Sequence, residues 1–182
     1  MKQVNICVGR FQPFTKGHLR MPEAGMKENG LGCVICMVKN KKQDSRHPFT
    51  DDIIQKEMNI IIENEKSIID TIYITSADIK QISEECHNKG YEPKLWITGS
   101  DRYQSYNSMI NGISKKTGKS YKEMYSLDDD FSCLEVNRTD EDISATKVRN
   151  ALKNDNKSIY DKMMPECVVN NDDMCLNPNK KF

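Results

Sequence analysis

Short apolar runs alternate along this chain with longer amphipathic stretches, and this alternation constrains the fold more than any other feature of the sequence. The apolar runs, which predict strands, cover residues 3–9, 31–38, 68–75, 94–98 and 131–136. The amphipathic stretches, which predict helices, cover residues 17–29, 50–64, 78–88, 102–115, 144–153 and 158–164. Because the strand runs are apolar on both faces and helices separate them, we predict an α/β fold in which helices cover both faces of a parallel sheet.

The length of 182 residues fits a single domain. We place that domain over residues 1–153, because the composition turns to Asn, Asp and Lys after Asn154. Residues 154–182 are expected to form a short helix and a tail that either packs on the domain or trails from it.

The charge balance excludes some classes of function. Basic and acidic residues both number 27, so no net charge favours a nucleic acid or an anionic membrane as partner. No apolar run approaches the roughly 18 residues of a membrane span, and the seven cysteines form no small-domain disulfide framework. We therefore expect a cytoplasmic protein, or one in the host cytoplasm if it is phage-encoded. The neutrality is a cancellation, since residues 1–50 hold nine basic and three acidic residues, which leaves room for one focused anion pocket.

The loop after the first predicted strand carries residues suited to phosphate binding. In parallel α/β sheets, ligands bind beyond the carboxyl ends of the strands. This loop ends in Thr15-x-Gly17-His18, which places a hydroxyl, a glycine and an imidazole at the start of a helix. Free N–H groups and the helix dipole attract phosphate there, and Gly17 would permit a ligand to approach closely. Taken alone, His18 is more typical of an exposed surface histidine.

Two later loops add hydroxyl and guanidinium groups. Ser144, Thr146 and Arg149 lie at the start of the helix after the last strand, where they can donate hydrogen bonds to a polyphosphate. The alternative is an ordinary helix N-cap followed by a surface arginine. Arg46 lies between the second strand and a capped helix. A second helix start suited to phosphate in the same chain favours the binding interpretation.

Three blocks together resemble the nucleotidyltransferase superfamily marked by a His/Thr-x-Gly-His motif. The blocks are Gly-Arg-Phe-Gln-Pro-Phe-Thr-x-Gly-His from Gly9, Arg-x-Pro-Phe-Thr from Arg46, and Ile-Ser-Ala-Thr-x-x-Arg from Ile143. In order and spacing they resemble archaeal-type nicotinamide mononucleotide adenylyltransferases and short phage-encoded nucleotidyltransferases over roughly residues 3–153. Thr15 occupies the first motif position, a variant that is also found in related adenylyltransferases.

The resemblance implies a Rossmann-like fold and an enzyme that moves a nucleoside monophosphate, AMP from ATP in the first instance, onto a small phosphorylated acceptor. Pyrophosphate is released by direct in-line attack. By resemblance, His18 and Thr15 contact the triphosphate, while Arg46 and Arg149 hold phosphate oxygens. The other nucleotide-binding positions that the resemblance implies are Gly9, Arg10, Phe11, Gln12, Gly17, Ser144 and Thr146. Mg²⁺ is the expected cofactor, held mainly by phosphate oxygens and water and not by a protein metal site.

The acceptor is expected beyond the fourth strand. Residues 95–102 resemble a Gly-Ser-Asp-Arg block of the phage-type members, which implies that Gly99, Asp101 and Arg102 contact an acceptor or a ribose. Asp101 is equally suited to cap a helix. The Asn- and Trp-containing acceptor loop of the archaeal-type enzymes is missing, and Trp96 is better explained as part of the strand core. Nicotinamide mononucleotide, which would give NAD, is one expected acceptor, but the sequence does not fix its identity.

Two other patterns resemble known sites but are predicted to be structural. Residues 112–120 resemble a P-loop, yet five residues separate the glycines where that motif has four, and a helix precedes them instead of a strand. Cys33 and Cys36 have thioredoxin-like spacing, yet an offset of three within a strand sends their side chains to opposite faces. Both thiols are therefore predicted to lie in the core.

Three functions stay open at this point. The first is an adenylyltransferase, and the second is a cytidylyltransferase or other nucleotidyltransferase that acts on a different phosphorylated metabolite. The third is a nucleotide-binding module without turnover, which the intact Thr15, His18, Arg46 and Arg149 disfavour. We expect neither a nucleic acid nor a membrane as partner, and a homo-oligomer is compatible with the sequence.

Overall fold

The computed structural model describes residues 1–137 and 143–171. The strands are β1 (Lys2–Gly9), β2 (Cys33–Val38), β3 (Ile68–Ile74), β4 (Tyr91–Gly99) and β5 (Ser132–Val136). The helices are α1 (Lys16–Asn29), α2 (Asp51–Asn64), α3 (Ile79–Asn88), α4 (Ser100–Ile110), α5 (Tyr121–Met124), α6 (Ala145–Lys153), α7 (Lys157–Met163) and α8 (Glu166–Val169). This element order confirms the predicted α/β fold.

All five strands pair in parallel, in the order β3-β2-β1-β4-β5. The chain builds outward from β1 to β3 and then crosses back to place β4 on the other side of β1. β1 and β4 therefore flank the point where the order reverses, and Rossmann-like sheets bind ligands in the crevice outside the carboxyl ends of such strands. The topology thus places the crevice beside Gly9 and Gly99.

Alternate residues of the central strands face two separate cores, as expected for a sheet covered on both sides. In β2, Cys33 and Ile35 belong to the core that α1, α2 and α6 cover, whereas Val34 and Cys36 belong to the core that α3 and α4 cover. The prediction that Cys33 and Cys36 are core thiols on opposite faces is confirmed.

Side chains fix the starts of the helices next to the crevice. The Thr50 hydroxyl accepts a hydrogen bond from the Ile53 N–H at the start of α2, where Asp51 and Asp52 complement the helix dipole. The Ser144 hydroxyl accepts from the Lys147 N–H at the start of α6. These caps fix where each crevice loop ends and its helix begins.

The two largest differences from the predicted element boundaries occur in β4 and α4. β4 begins at Tyr91 instead of Lys94, because Pro93 sits at a register shift between β1 and β4 where a strand tolerates proline. α4 ends at Ile110 instead of Lys115, and a Cβ at Gly112 would lie 2.7 Å from the Tyr121 ring. The chain turns away from α4 at Gly112, where the absence of a side chain leaves room for the Tyr121 ring.

Residues after Lys153 contribute to the core. Met164 and Val168 are buried in the cluster that covers one face of the sheet, and α8 packs against α2. Residues 172–182 lie outside the described residues.

The patterns predicted to be structural lack the geometry of binding sites. Residues 112–120 follow a helix, and Ile113 forms an antiparallel bridge with Ser120. Within residues 1–137 and 143–171, no group of three His, Cys, Asp or Glu side chains is arranged to hold a metal ion. Nor does the same part of the chain contain a helix long and apolar enough to span a membrane.

Candidate active site

A cavity of about 740 Å³ opens at the carboxyl ends of β1 and β4, where the strand order reverses. All the residues predicted for the site line this one cavity. They are Gly9, Arg10, Phe11, Gln12, Thr15, Gly17, His18, Arg46, Gly99, Asp101, Arg102, Ser144, Thr146 and Arg149. The structure therefore brings together residues that lie up to 140 positions apart in the chain, while their individual roles remain predictions.

The lining of the cavity is strongly basic. Among the described residues, it includes five arginines and a single carboxylate, that of Asp101. The arginines are Arg10, Arg20, Arg46, Arg102 and Arg149. Low-dielectric walls lined by one sign of charge concentrate ligands of the opposite sign, so the cavity is suited to a highly charged anion.

Two of these guanidinium groups act on each other electrostatically. Arg149 donates from Nη1 to the Gln12 carbonyl at 2.7 Å and from Nη2 to the Thr146 hydroxyl at 3.0 Å. Partial burial, together with the positive charge of Arg46, lowers the pKa of Arg149. An anion bound between the two arginines would relieve this repulsion, which is the expected arrangement of a phosphate-binding pair.

His18 is oriented by the backbone at the start of α1. Its Nδ1 accepts a hydrogen bond from the Thr15 N–H at 3.0 Å, and its ring packs against Phe11 and Phe14 with centroids 5.1 and 5.4 Å away. A neutral imidazole that accepts at Nδ1 carries its proton on Nε2. His18 can therefore present a donor N–H to a ligand in the cavity. The buried Thr15 hydroxyl lies 3.2 Å from the same Nδ1. In this arrangement, Thr15 therefore contacts His18 through both its backbone N–H and its hydroxyl.

Gln12 connects two of the loops. Its amide donates to the Phe49 carbonyl at 3.2 Å and accepts from the Phe49 N–H at 3.0 Å. Both polar ends of this buried side chain are thereby used inside the protein. The backbone carbonyl of Gln12 accepts from Arg149, one of the charged groups of the cavity.

Two glycines are required by packing within the protein. A Cβ on Gly17 would lie 3.0 Å from the Ile143 carbonyl oxygen, so Gly17 permits a close approach of backbone to backbone. A Cβ on Gly9 would lie 2.9 Å from the Phe11 ring, which folds back over the end of β1. Phe11 itself is buried and has a positive φ of 48°, a rare conformation for a bulky residue. Gly17 thus joins the starts of α1 and α6, where the sequence suggested only room for a ligand.

The fourth strand supplies the other side of the cavity. Gly99 is the N-cap of α4, so the alternative that Asp101 caps this helix is wrong, and Asp101 lies in the first turn instead. Asp101 and Arg102 are exposed at the cavity. Tyr106 also lines the cavity and stacks on the fully buried Trp96 at a centroid distance of 4.2 Å. The prediction that Trp96 belongs to the strand core is confirmed.

Several residues around the site were not predicted, among them Arg20, Tyr106, His47 and Glu57. His47 lines the cavity, accepts from Arg10 at 2.9 Å, and occupies the variable position of the Arg-x-Pro-Phe-Thr block, which was a usable signal. Glu57 is fully buried in α2 and accepts the Phe14 N–H at 3.2 Å beneath the His18 loop. Burial raises the pKa of this carboxyl well above its ordinary value. Its position three residues after Ile54 and four before Ile61 places Glu57 on the apolar face of α2, which was a usable signal.

Comparison with known proteins gives a family match and several structural neighbours. A family model described as cytidylyltransferase-like matches residues 6–151. No curated protein sequence matches the chain.

The structural neighbours are distant in sequence. The chain is 15% identical to a nicotinic acid mononucleotide adenylyltransferase from Plasmodium falciparum complexed with NaAD, with a TM-score of 0.60 over 93% of this chain and 94% of that one. It is 13% identical to TmcAL from Thermotoga maritima bound with alpha-thio ATP, with a TM-score of 0.54 over 92% and 54% of the two chains. A bifunctional NMN adenylyltransferase/ADP ribose pyrophosphatase from Francisella tularensis, complexed with AMP and a manganese ion, is 15% identical, with a TM-score of 0.53 over 85% and 42%. At these identities the likeness establishes the fold.

Proposed function

The chain belongs to the cytidylyltransferase-like family and is a nucleotidyltransferase, and on that premise we propose that it transfers AMP from ATP to a small phosphorylated acceptor. Nicotinamide mononucleotide is the acceptor that we propose first. Both choices are supported by the structural neighbours, which include adenylyltransferases for two pyridine mononucleotides and a protein bound with an ATP analogue.

The observation that carries the proposal is the composition of the cavity. In the part of the chain that the structure describes, five arginines and one carboxylate line a space that also holds His18 and the starts of α1 and α6. A triphosphate is the kind of ligand that needs this much positive charge together with exposed helix N–H groups. The cavity at the carboxyl end of β4 adds room for a second substrate beside it.

In the proposed reaction, an oxygen of the acceptor's phosphate attacks the α-phosphorus of ATP. The bond from that phosphorus to the β-phosphate oxygen breaks, and pyrophosphate leaves. Catalysis of such a displacement consists mainly of positioning and charge stabilisation. His18 would donate from Nε2 to an oxygen of the α-phosphate, while Arg46 and Arg149 would hold the leaving phosphates. Asp101 and Arg102 would orient the acceptor.

Magnesium fits this site as an ion that arrives with the nucleotide. Mg²⁺ typically keeps several waters and binds through one or two carboxylates plus substrate phosphates. Within residues 1–137 and 143–171, Asp101 is the one carboxylate that lines the cavity, and no cluster of metal ligands is present. Bound Mg²⁺ would neutralise charge that develops on the phosphate oxygens.

Pyrophosphate release tests the proposal. Purified protein is incubated with Mg²⁺ and either ATP or CTP, each with nicotinamide mononucleotide, nicotinic acid mononucleotide, phosphopantetheine or a sugar phosphate. We expect release that requires both substrates and is fastest with ATP and a pyridine mononucleotide. Release with CTP alone among the donors would instead identify a cytidylyltransferase, and nucleotide binding without release from any pair would identify a binding module.

A further inference from the structure

Three side chains form a hydrogen-bonded row at the rim of the cavity. Arg10 donates from Nη1 to His47 Nε2 at 2.9 Å, and His47 Nδ1 lies 2.9 Å from Asp44 Oδ1. The same Asp44 oxygen accepts the backbone N–H groups of Arg46 and His47 at 2.9 and 2.8 Å. The row therefore links the loop after β1 to the turn that carries Arg46.

The row fixes the proton on the imidazole. A guanidinium group only donates hydrogen bonds, so His47 Nε2 must be the acceptor in its contact with Arg10. His47 Nδ1 then carries the proton and donates it to Asp44. Desolvation of Asp44 opposes its ionisation, but the backbone N–H groups of Arg46 and His47 together outweigh it and lower the pKa of Asp44, so this carboxylate is suited to accept from His47 in its charged form. The arrangement requires a neutral imidazole.

We propose that His47 is a positioning residue that holds Arg10 and the Arg46 turn in place for the triphosphate, and that it does so only while its imidazole is neutral. The identity of the anion rests on the proposed function. The His47 side chain is 18% exposed, so it is held within the rim instead of moving freely in solvent. It acts on the ligand through Arg10 and through the turn, and not by donating to the phosphates itself.

Protonation of His47 would reverse its contact with Arg10. Nε2 would then carry a hydrogen and face a cationic donor at 2.9 Å. The charged groups near the imidazole are Arg10 and Asp44 in direct contact, Arg46 beside it in the chain, and Arg149, which acts electrostatically on both Arg46 and Asp44. Three of these four groups are positive, so a further positive charge would push Arg10 away. A charged imidazole is therefore expected to weaken anion binding through the loss of the Arg10 contact.

Two substitutions of similar size separate the two nitrogens of the ring. In His47→Gln the side-chain oxygen can reach the place of Nε2 and accept from Arg10, and the residue does not titrate. In His47→Asn the shorter amide can replace Nδ1 and donate to Asp44 but does not reach Arg10. If the row acts through Arg10, glutamine rescues anion binding and asparagine does not.

The measurement is the dissociation constant of inorganic tripolyphosphate, determined by calorimetry at pH 8 for the wild-type protein and both variants. We expect His47→Asn to weaken binding about tenfold and His47→Gln less than about threefold, on the scale of one charge-assisted hydrogen bond at a partly exposed site.

Equal binding by the two variants would overturn the inference, and so would a failure of the wild type to bind tripolyphosphate. The assay does not depend on turnover. A protein that binds tripolyphosphate with the expected dependence on His47, but releases no pyrophosphate with any substrate pair, would refute the proposed function and leave the inference standing.

Discussion

Replacement of His18 by asparagine separates the two roles that the structure gives this side chain. Asn Oδ1 can take the place of Nδ1 and accept the Thr15 N–H, which His18 now accepts at 3.0 Å. The variant lacks an atom at the place of Nε2, where we infer the donor to the α-phosphate. His18→Ala loses both groups. Both variants lose the ring contacts with Phe11 and Phe14, so the comparison between them isolates the hydrogen bond at the helix start.

The expected magnitudes follow from these contacts. Loss of one preorganised donor to a transition state costs about 100-fold to 1,000-fold in kcat, so both variants should fall at least about 100-fold. An unsatisfied Thr15 N–H costs about 1–3 kcal/mol, so His18→Ala should be about 1 kcal/mol or more less stable than His18→Asn. For a chain of this length, that difference lowers the melting temperature by about 2–4 °C per kcal/mol.

Steady-state pyrophosphate release and thermal denaturation measure the two effects on the same preparations. Turnover of His18→Asn within about threefold of wild type would remove Nε2 from the mechanism. Equal melting temperatures for the two variants would contradict the assigned hydrogen bond and, with it, the tautomer that places the proton on Nε2.

Three further substitutions test the surroundings of the site. Because burial raises the pKa of Glu57, the folded protein binds more protons than the unfolded chain above the ordinary pKa of a glutamate, and wild-type stability falls as the pH rises. Glu57→Gln should therefore gain stability relative to wild type between pH 4.5 and 8 in urea denaturation, and stability curves that stay parallel over this range would contradict the raised pKa. Gln12→Ala leaves the N–H and carbonyl of Phe49 without their partner and should lower the free energy of unfolding by about 2 kcal/mol. A loss below about 0.5 kcal/mol would show that these two hydrogen bonds contribute little to stability. Arg149→Gln should raise the KM for ATP at least about tenfold, because Arg149 lines the cavity. The control Lys119→Gln removes the same charge from an exposed residue outside the cavity and should leave this KM unchanged; equal effects of the two variants would mean that only the overall charge matters.

The fold was predictable because its signals are local. Each strand of the sheet is a short apolar run, and Cys33 and Cys36 show that period-two alternation correctly assigns side chains to two cores. The meeting of the predicted site residues follows from the topology, since the carboxyl ends of parallel strands lie at one edge of the sheet. Loops that are far apart in the chain therefore become neighbours.

What the sequence could not reveal depends on contacts between distant segments. Gln12 and Phe49 are 37 positions apart, and only the folded chain shows that the Gln12 amide is used to join two loops. The helical period places Glu57 on the apolar face of α2, but only the folded chain shows that its carboxylate accepts the Phe14 N–H of another loop. A glycine at a helix start can make room either for a ligand or for a neighbouring backbone segment, and the sequence does not distinguish the two. At Gly17 the structure shows that the neighbour is the Ile143 carbonyl.

The fate of the α-phosphorus of ATP shows whether the protein transfers AMP to an acceptor. The protein is incubated with Mg²⁺, nicotinamide mononucleotide and ATP that is labelled on either the α- or the γ-phosphate, and the products are separated. We predict that the α-label appears in a dinucleotide and the γ-label in pyrophosphate, with no label retained on the protein. Transfer of the γ-label to the acceptor would identify a kinase and contradict nucleotidyl transfer at this site.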